Sequence, residues 1–151
     1  MNRTRGLVAL FIVAGIAAAL VVLAAPAAAT RSAVTSKDTH VVRVYYFHTT
    51  QRCASCKKIE ALTEEAIRAG FGEELAAGNL EWQPINTDEA PNRQFIKDYQ
   101  LYTKSVVVVD LVNGQQERWK NLPKIWELLN DPAAFGQYVR QEVRAYLDKR
   151  P

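Results

Sequence analysis

The alternation of apolar and polar positions divides the chain into a leader, a linker and a folded part. Leu7 to Ala25 is an apolar run without a charged residue. Residues 30–40 are polar and show no apolar period, which predicts a loose linker. From Val41 onward, short apolar runs of strand type alternate with stretches of helical period. We therefore expect one domain over residues 41–151.

The folded part predicts an α/β architecture. Val41 to His48 is rich in β-branched and aromatic residues and favours a strand buried on both faces. From Cys53 onward the apolar residues recur at helical spacing. We expect strands over 41–48, 80–86, 105–109 and 116–122, and helices after Cys53, over 92–99 and, in two pieces, from 123 to the C-terminus.

These elements predict a four-stranded mixed sheet flanked by helices. Helical segments join the first three strands, so we expect those strands to be parallel, and Asn113-Gly114 predicts a hairpin that adds an antiparallel fourth. Pro84 cannot donate to a ladder, so the second strand should lie at an edge, and the charged fourth strand should form the other edge. Apolar residues of the short helix should face inward, namely Phe95, Ile96 and Tyr99.

The N-terminus predicts export. Positive charge at Arg3 and Arg5, the apolar run and the small residues Ala27 to Ala29 have the form of a signal peptide over residues 1–29. The apolar run also approaches the roughly 20 residues that span a bilayer, so an uncleaved membrane anchor remains an alternative. Both alternatives place the domain outside the cytoplasm, in a bacterium the periplasm or the outer face of the inner membrane.

The charge balance argues against a nucleic-acid partner. The chain has 19 Lys and Arg against 16 Asp and Glu, a formal net charge of +3. Without Arg3 and Arg5 the balance is 17 against 16, about +1. This is far from the strongly basic surface that binding to nucleic acid requires.

The candidate chemistry lies in Cys53 and Cys56, the only two cysteines of the chain. A Cys-x-x-Cys between a strand and a helix indicates a redox pair. The helix N-terminus, together with Arg52 and Lys57, should lower the pKa of Cys53 and make it the nucleophile. Cys56 would be the resolving thiol. Outside the cytoplasm such a pair rests as a disulfide unless a partner reduces it.

Two other roles for the cysteines stay open at this point. With His48, the two thiolates could hold a soft metal ion such as copper(I), or a metalloid, and the chain would then be a binding protein or chaperone. A structural disulfide is the third possibility, although its loop is so short that it would restrain the unfolded chain little.

The chain resembles thioredoxin over nearly all of Val41 to Leu147. The resemblance rests on the element order, on the Cys-x-x-Cys after the first strand and on the Asn-Gly hairpin before the last helix. It implies a thioredoxin-like fold and dithiol–disulfide exchange with a protein substrate. More narrowly, the chain resembles ArsF-type bacterial proteins called nitrophenyl-compound nitroreductase subunits, in the segments Val44-Tyr45-Tyr46-Phe47-His48, Asp98-Tyr99-Gln100-Leu101, Thr103-Lys104-Ser105-Val106 and Trp119-Lys120-Asn121-Leu122.

The narrower resemblance implies a membrane electron donor of the cytochrome-c-biogenesis type. We expect no cofactor, because the chain has no Gly-x-Gly-x-x-Gly or other flavin fingerprint. Thioredoxin's proline facing the disulfide is absent, since Thr103, Lys104 and Ser105 stand there. Lys104 and Ser105 should therefore face the pair, either to help hold a substrate or the Cys53 thiolate, or as a plain turn with a solvated lysine. Thioredoxin's buried acid would fall near Phe47.

Overall fold

The structure, a computed structural model, describes residues 39–149. The predicted leader over residues 1–29 and linker residues 30–38 lie outside this range. Within it, no helix combines the length and the apolar character needed to cross a membrane. His40, assigned from the sequence to the linker, is the first residue of the first strand, so the folded part begins at the end of that predicted linker.

The described residues form an α/β domain. The strands are β1 (His40–His48), β2 (Leu80–Asn86), β3 (Ser105–Val112) and β4 (Gln115–Asn121), and the helices are α1 (Ala54–Gly70), α2 (Gly72–Ala76), α3 (Gln94–Asp98) and α4 (Pro132–Leu147). Short 3₁₀ turns cover Ala90–Asn92 and Pro123–Ile125. The predicted helix over 92–99 is thus a 3₁₀ turn followed by the short α3, and only α4 is regular in the C-terminal segment.

The four strands form one mixed sheet in the order β2-β1-β3-β4. Both predicted edges, β2 and β4, are confirmed. The prediction that β3 runs parallel to β1 is wrong: β1 pairs in parallel with β2 but antiparallel with β3, and β3 pairs antiparallel with β4. The reason lies in the connection over residues 87–104, which leaves β2 and enters β3 at the same end of the sheet.

Each face of the sheet has its own apolar core. On one face, α1 and α4 cover the side chains of alternate β1 residues, among them Val42, Val44 and Tyr46. On the other face, Tyr45 and Phe47 pack with Tyr99 and the partly buried Phe95. β1 is therefore covered on both faces, as its continuous apolar run predicts.

One residue of α3 departs from the prediction. Ile96 is 44% exposed, whereas Phe95 and Tyr99 pack into the core. α3 has only five residues and thus little more than one turn, so it cannot turn three neighbouring side chains toward the sheet. The exposed Ile96 instead lines an open pocket at the end of the sheet where β1 finishes.

Candidate active site

Three chain segments meet at the end of the sheet where β1 finishes. Phe47 and His48, the last residues of β1, pair with Ser105 at the start of β3 and with Asn86 at the end of β2, respectively. The chain then makes a short loop and enters α1 through Cys53. This end of the sheet therefore brings together the Cys-x-x-Cys segment and the segment that precedes β3.

The loop before Cys53 is hydrogen-bonded to the loop after β2. The backbone N–H of Thr50 donates to Asp88 Oδ2 at 2.8 Å, and Asn86 Nδ2 donates to Thr50 Oγ1 at 3.1 Å. Thr87 donates to the carbonyl of His48 both from its backbone N, at 2.8 Å, and from its hydroxyl, at 3.0 Å. The bond from the Thr50 backbone lowers the pKa of Asp88. These contacts fix the chain just before the nucleophile.

Cys53 is the N-cap residue of α1 and is exposed to solvent. Its sulfur accepts a hydrogen bond from the backbone N–H of Cys56 at 3.3 Å. The pKa of Cys53 is lowered, chiefly by hydrogen bonding from the Cys56 thiol and then by the N–H of Cys56. A thiol with a lowered pKa is present as the reactive thiolate over a wider range of pH. Both cysteines are free thiols in the structure.

Cys56 lies one turn further along α1 and is 2% exposed. Tyr46, fully buried beneath it in β1, donates its hydroxyl to the Cys56 carbonyl at 2.7 Å. Burial raises the pKa of Tyr46 to about 12, so the phenol stays protonated and keeps donating at ordinary pH. An exposed cysteine with a buried partner one turn behind it is the arrangement that the sequence predicts for a nucleophile and its resolving thiol.

The two cations that the sequence places near Cys53, Arg52 and Lys57, contribute little to the lowering of its pKa. Arg52 forms an ion pair with Glu60, which lies one turn beyond Cys56 on α1. Its charge is thereby balanced by a carboxylate, although its buried Nε has no hydrogen-bond partner. Lys57 is exposed, and neither cation is among the causes that lower the pKa of Cys53.

His48 is half-buried at the end of β1. Its Nδ1 lies 3.1 Å from the carbonyl of Thr49, and its ring lies beside that of Tyr46. Among residues 39–149, no group of three or more His, Cys, Asp or Glu side chains is placed to hold a metal ion. The trio of His48, Cys53 and Cys56 is therefore not assembled here, and metal or metalloid binding by the two cysteines stays a prediction.

Ser105 and Lys104 take different roles at the start of β3. Ser105 is 3% exposed; its hydroxyl donates to the Thr103 carbonyl at 3.0 Å and accepts from Asn121 Nδ2 at 3.4 Å. It is thus a structural residue of the turn. The Lys104 carbonyl accepts a hydrogen bond from Trp126 Nε1 at 3.1 Å, and Lys104 is one of the residues that line the open pocket. None of the peptide bonds that the structure describes is cis.

Two residues of the site were not among those predicted from the sequence. Glu60 follows Cys56 by four positions, so the helical period places both on one face of α1, and this spacing could have revealed it. Tyr46 reads as an ordinary core residue of a buried strand, and only the packing of α1 on β1 shows that its hydroxyl reaches Cys56.

Comparison with known proteins adds little to this description. No family model matches the chain, and no curated protein matches it in sequence. Among solved structures, one called "Structure of a malarial protein" is similar to 60% of this chain and 93% of its own, with a TM-score of 0.37 and 13% identity. A likeness at that level carries no argument about fold or function.

Proposed function

We propose that this chain is a thiol–disulfide oxidoreductase that works through Cys53 and Cys56. The observation that carries the proposal is the pairing of an exposed, hydrogen-bonded Cys53 at the N-terminus of α1 with a buried Cys56 one turn behind it. Only the thiolate attacks a disulfide, and these hydrogen bonds favour the thiolate of Cys53.

The exchange proceeds in two steps. The Cys53 thiolate attacks one sulfur of a substrate disulfide, whose S–S bond breaks, and the other substrate sulfur leaves as a thiolate. Cys56 then loses its proton to solvent and attacks the Cys53 sulfur of the mixed disulfide. The second substrate sulfur leaves as a thiolate, which takes up a proton, and a Cys53–Cys56 disulfide remains. Run in reverse, the same steps oxidise a substrate dithiol.

The architecture supports a thioredoxin-like fold for the domain. A Cys-x-x-Cys pair links β1 to α1, helices cover both faces of a β2-β1-β3-β4 sheet, and a hairpin precedes the last helix. Within that class we propose a relationship to the ArsF-type proteins, on the segments that suggest it. A flavin-dependent nitro reduction is not part of the proposal, since nothing in the sequence indicates a flavin site.

We further propose that the domain acts outside the cytoplasm. The apolar N-terminal segment would export or anchor it, and there the pair would rest as a disulfide without a source of electrons. A membrane thiol carrier of the cytochrome-c-biogenesis type would reduce that disulfide and keep Cys53 reactive. The substrates would be protein thiols or disulfides.

Turnover of a disulfide peptide by the full-length protein tests the proposal. The protein is kept in a mild non-ionic detergent and assayed with dithiothreitol as electron source. Cys53→Ser should lower the rate to that of dithiothreitol without protein. In an incubation of reduced protein freed of dithiothreitol, Cys56→Ser should leave the first attack intact but trap the mixed disulfide, visible by mass spectrometry as an adduct on Cys53. Equal turnover by wild type and Cys53→Ser would overturn the proposal, as would the absence of an adduct on Cys53 in Cys56→Ser.

A further inference from the structure

An open pocket lies at the end of the sheet from which the chain leads to the cysteine pair, and neither cysteine lines it. It lies at the end of the sheet where β1 finishes and β3 begins, and its volume is about 150 Å³. Small-molecule and cofactor sites usually measure about 300–1,000 Å³, so this pocket suits one side chain of a larger partner. Its walls combine four apolar or aromatic residues with three threonines and two basic residues; the apolar and aromatic ones are Phe47, Ile96, Leu101 and Tyr102, and the basic ones are His48 and Lys104.

The pocket carries positive charge that is not neutralised by an ion pair. Lys104 is half-buried in its wall and belongs to none of the ion pairs within residues 39–149. The pKa of Asp88 is lowered first by the hydrogen bond from the Thr50 backbone and further by the charges of Arg93 and Lys104. None of the residues that line the pocket is acidic.

Two exposed residues suit the pocket to contact with a partner. Tyr102 is 95% exposed and Ile96 is 44% exposed, so apolar surface stands open at the mouth. An exposed aromatic ring and a cation in the same pocket suit a partner that brings an apolar stem and a carboxylate together. The Glu side chain has this form.

We propose that this pocket binds an acidic side chain, Glu or Asp, of the protein whose cysteine reacts with Cys53. The inference rests on the proposed function and names a feature of its substrates. Lys104 pairs with the carboxylate, and the walls formed by Ile96, Leu101 and Tyr102 cover the methylene stem.

The position of the acid follows from the reach of the chain. Thr49 lines the pocket and precedes Cys53 by four residues, which span at most about 14 Å when fully extended. A bound substrate segment in extended form covers that distance in about four residues. The preferred acid therefore lies within about four positions of the substrate cysteine.

Peptides that differ in one residue test this assignment. Each peptide has one cysteine, which forms a mixed disulfide with uncharged 2-thiopyridine. Its N-terminus is acetylated and its C-terminus is amidated. Glu, Gln or Lys stands two to four positions from the cysteine, on either side. Cys53 attacks the peptide sulfur and releases pyridine-2-thione, which is followed by absorbance. Blocked termini ensure that a side chain, and not a terminal carboxylate, is read.

Full-length wild type in non-ionic detergent, reduced beforehand and freed of reductant, should react with the best Glu peptide about fivefold faster than with its Gln counterpart, measured as the second-order rate constant for release of pyridine-2-thione. Fivefold is about the upper end of what an exposed ion pair contributes. Added salt should reduce this preference. Lys104→Gln should remove it, Lys104→Arg should retain most of it, and Lys104→Glu should shift it toward the Lys peptide. These changes leave the Lys104 carbonyl, which accepts from Trp126, in place. Lys97→Gln, on an exposed residue of α3 outside the pocket, is the control with the same change in charge and should behave as wild type.

The outcomes separate the two proposals. If the Cys53-dependent release of pyridine-2-thione is fast but Glu, Gln and Lys peptides react equally, the acidic pocket is overturned and the oxidoreductase stands. The same holds if Lys97→Gln reduces the preference as much as Lys104→Gln, since the effect is then one of net charge. If no peptide reacts in a Cys53-dependent way, both proposals fail.

Discussion

The acidity of Cys53 is set by hydrogen bonds to its sulfur and not by the cations around it. Arg52 and Lys57 flank the pair in sequence and suggest an electrostatic origin for the shift. In the structure Arg52 pairs with Glu60 and Lys57 is exposed, whereas the pKa of Cys53 is lowered chiefly by its interaction with the Cys56 side chain and then by the backbone N–H of Cys56, which donates to the Cys53 sulfur. The acidity of Cys53 thus depends on Cys56 before any exchange takes place.

The Cys56 thiol should therefore control the pKa of Cys53. In Cys56→Ala the side-chain donor is lost and only the backbone N–H remains, so the pKa of Cys53 should rise toward that of a free cysteine. Cys56→Ser keeps a donor of similar position and should raise the pKa less. The rate of alkylation of Cys53 by iodoacetamide as a function of pH measures this. Identical profiles for the two variants would show that the backbone N–H alone sets the shift.

Tyr46 should make the fold sensitive to alkali. Its pKa is raised to about 12 by burial, against about 10 in an unfolded chain. Below about pH 10, Tyr46 is protonated in both the folded and the unfolded state, and its contribution to the free energy of unfolding is complete. As the pH rises toward about 12, Tyr46 ionises only in the unfolded state, so this contribution is progressively lost. Urea unfolding from pH 8 to 11.5 should show a steeper decline for wild type than for Tyr46→Phe.

The same variant reports on the bond to the Cys56 carbonyl. At pH 8, Tyr46→Phe should lower the free energy of unfolding by about 1 kcal/mol, the usual value of one hydrogen bond. Burial also raises the pKa of Tyr99 to about 12, so Tyr99→Phe should flatten the alkaline decline as well. Tyr102→Phe, at a residue that is 95% exposed, should leave the decline unchanged. A Tyr46→Phe curve parallel to that of wild type would contradict the assignment.

At the scale of the elements, the sequence predicts what is local and fails where direction depends on a connection. The β-branched runs mark β1 and β3, Pro84 marks an edge, and Asn113-Gly114 marks the hairpin, where both residues adopt positive φ, 54° and 78°. A periodic pattern does not state at which end of the sheet a strand starts. A parallel β3 would need the connection to return along most of the sheet, about 20 Å or more. The α-helix in this connection, the five-residue α3, spans only about 7.5 Å, and β3 starts at the end of the sheet where β2 ends.

At the candidate site, too, the sequence predicts the local features and not those that depend on tertiary contacts. The roles of Cys53 and Cys56 follow from the helix N-terminus, because the first cysteine caps α1 and the second turns inward. The roles of Lys104 and Ser105 could not be separated from the sequence, since adjacent residues leave a turn in directions that depend on tertiary contacts. Asn121, on the neighbouring β4, fixes Ser105 in the turn and leaves Lys104 to the pocket.

The cap of α4 offers a test at this scale. Asp131 accepts a hydrogen bond from the Ala134 backbone N at 3.0 Å, and Pro132 follows it at the first helical position. Asp131→Ala should lower the free energy of unfolding by about 1 kcal/mol, while Asp131→Asn, also a good cap, should cost only a few tenths. Chemical denaturation measures both. Equal losses in the two variants would mean that the carboxylate charge, and not the cap, matters.

At the scale of the whole domain, the two ends of the sheet have different tasks. The cysteine pair lies beyond the C-terminal end of β1, which has nine residues and is therefore about 26 Å long. At its other end, the carboxylate of Asp110, 2% exposed, lies 2.5 Å from His40 Nε2 and accepts a hydrogen bond from Arg118 Nε at 2.6 Å. Arg118 also lies over the ring of Tyr146 and donates to carbonyls of the last turn of α4 and beyond. This cluster joins the first strand to the end of the domain.

Removal of Arg118 should therefore destabilise the domain without changing its chemistry. Breaking a buried ion pair from one side costs about 3–5 kcal/mol. Because Arg118 is 35% exposed and His40 remains beside Asp110, we expect Arg118→Met to lower the free energy of unfolding by about 2 kcal/mol. Lys120→Met, on the same strand and in the more exposed pair with Glu142, is the matched control and should cost less than about 1 kcal/mol. The alkylation rate of Cys53 in the folded protein should be the same in both variants and in wild type. A large change in that rate for Arg118→Met alone would show that the two ends of the sheet are coupled, contrary to this division of tasks.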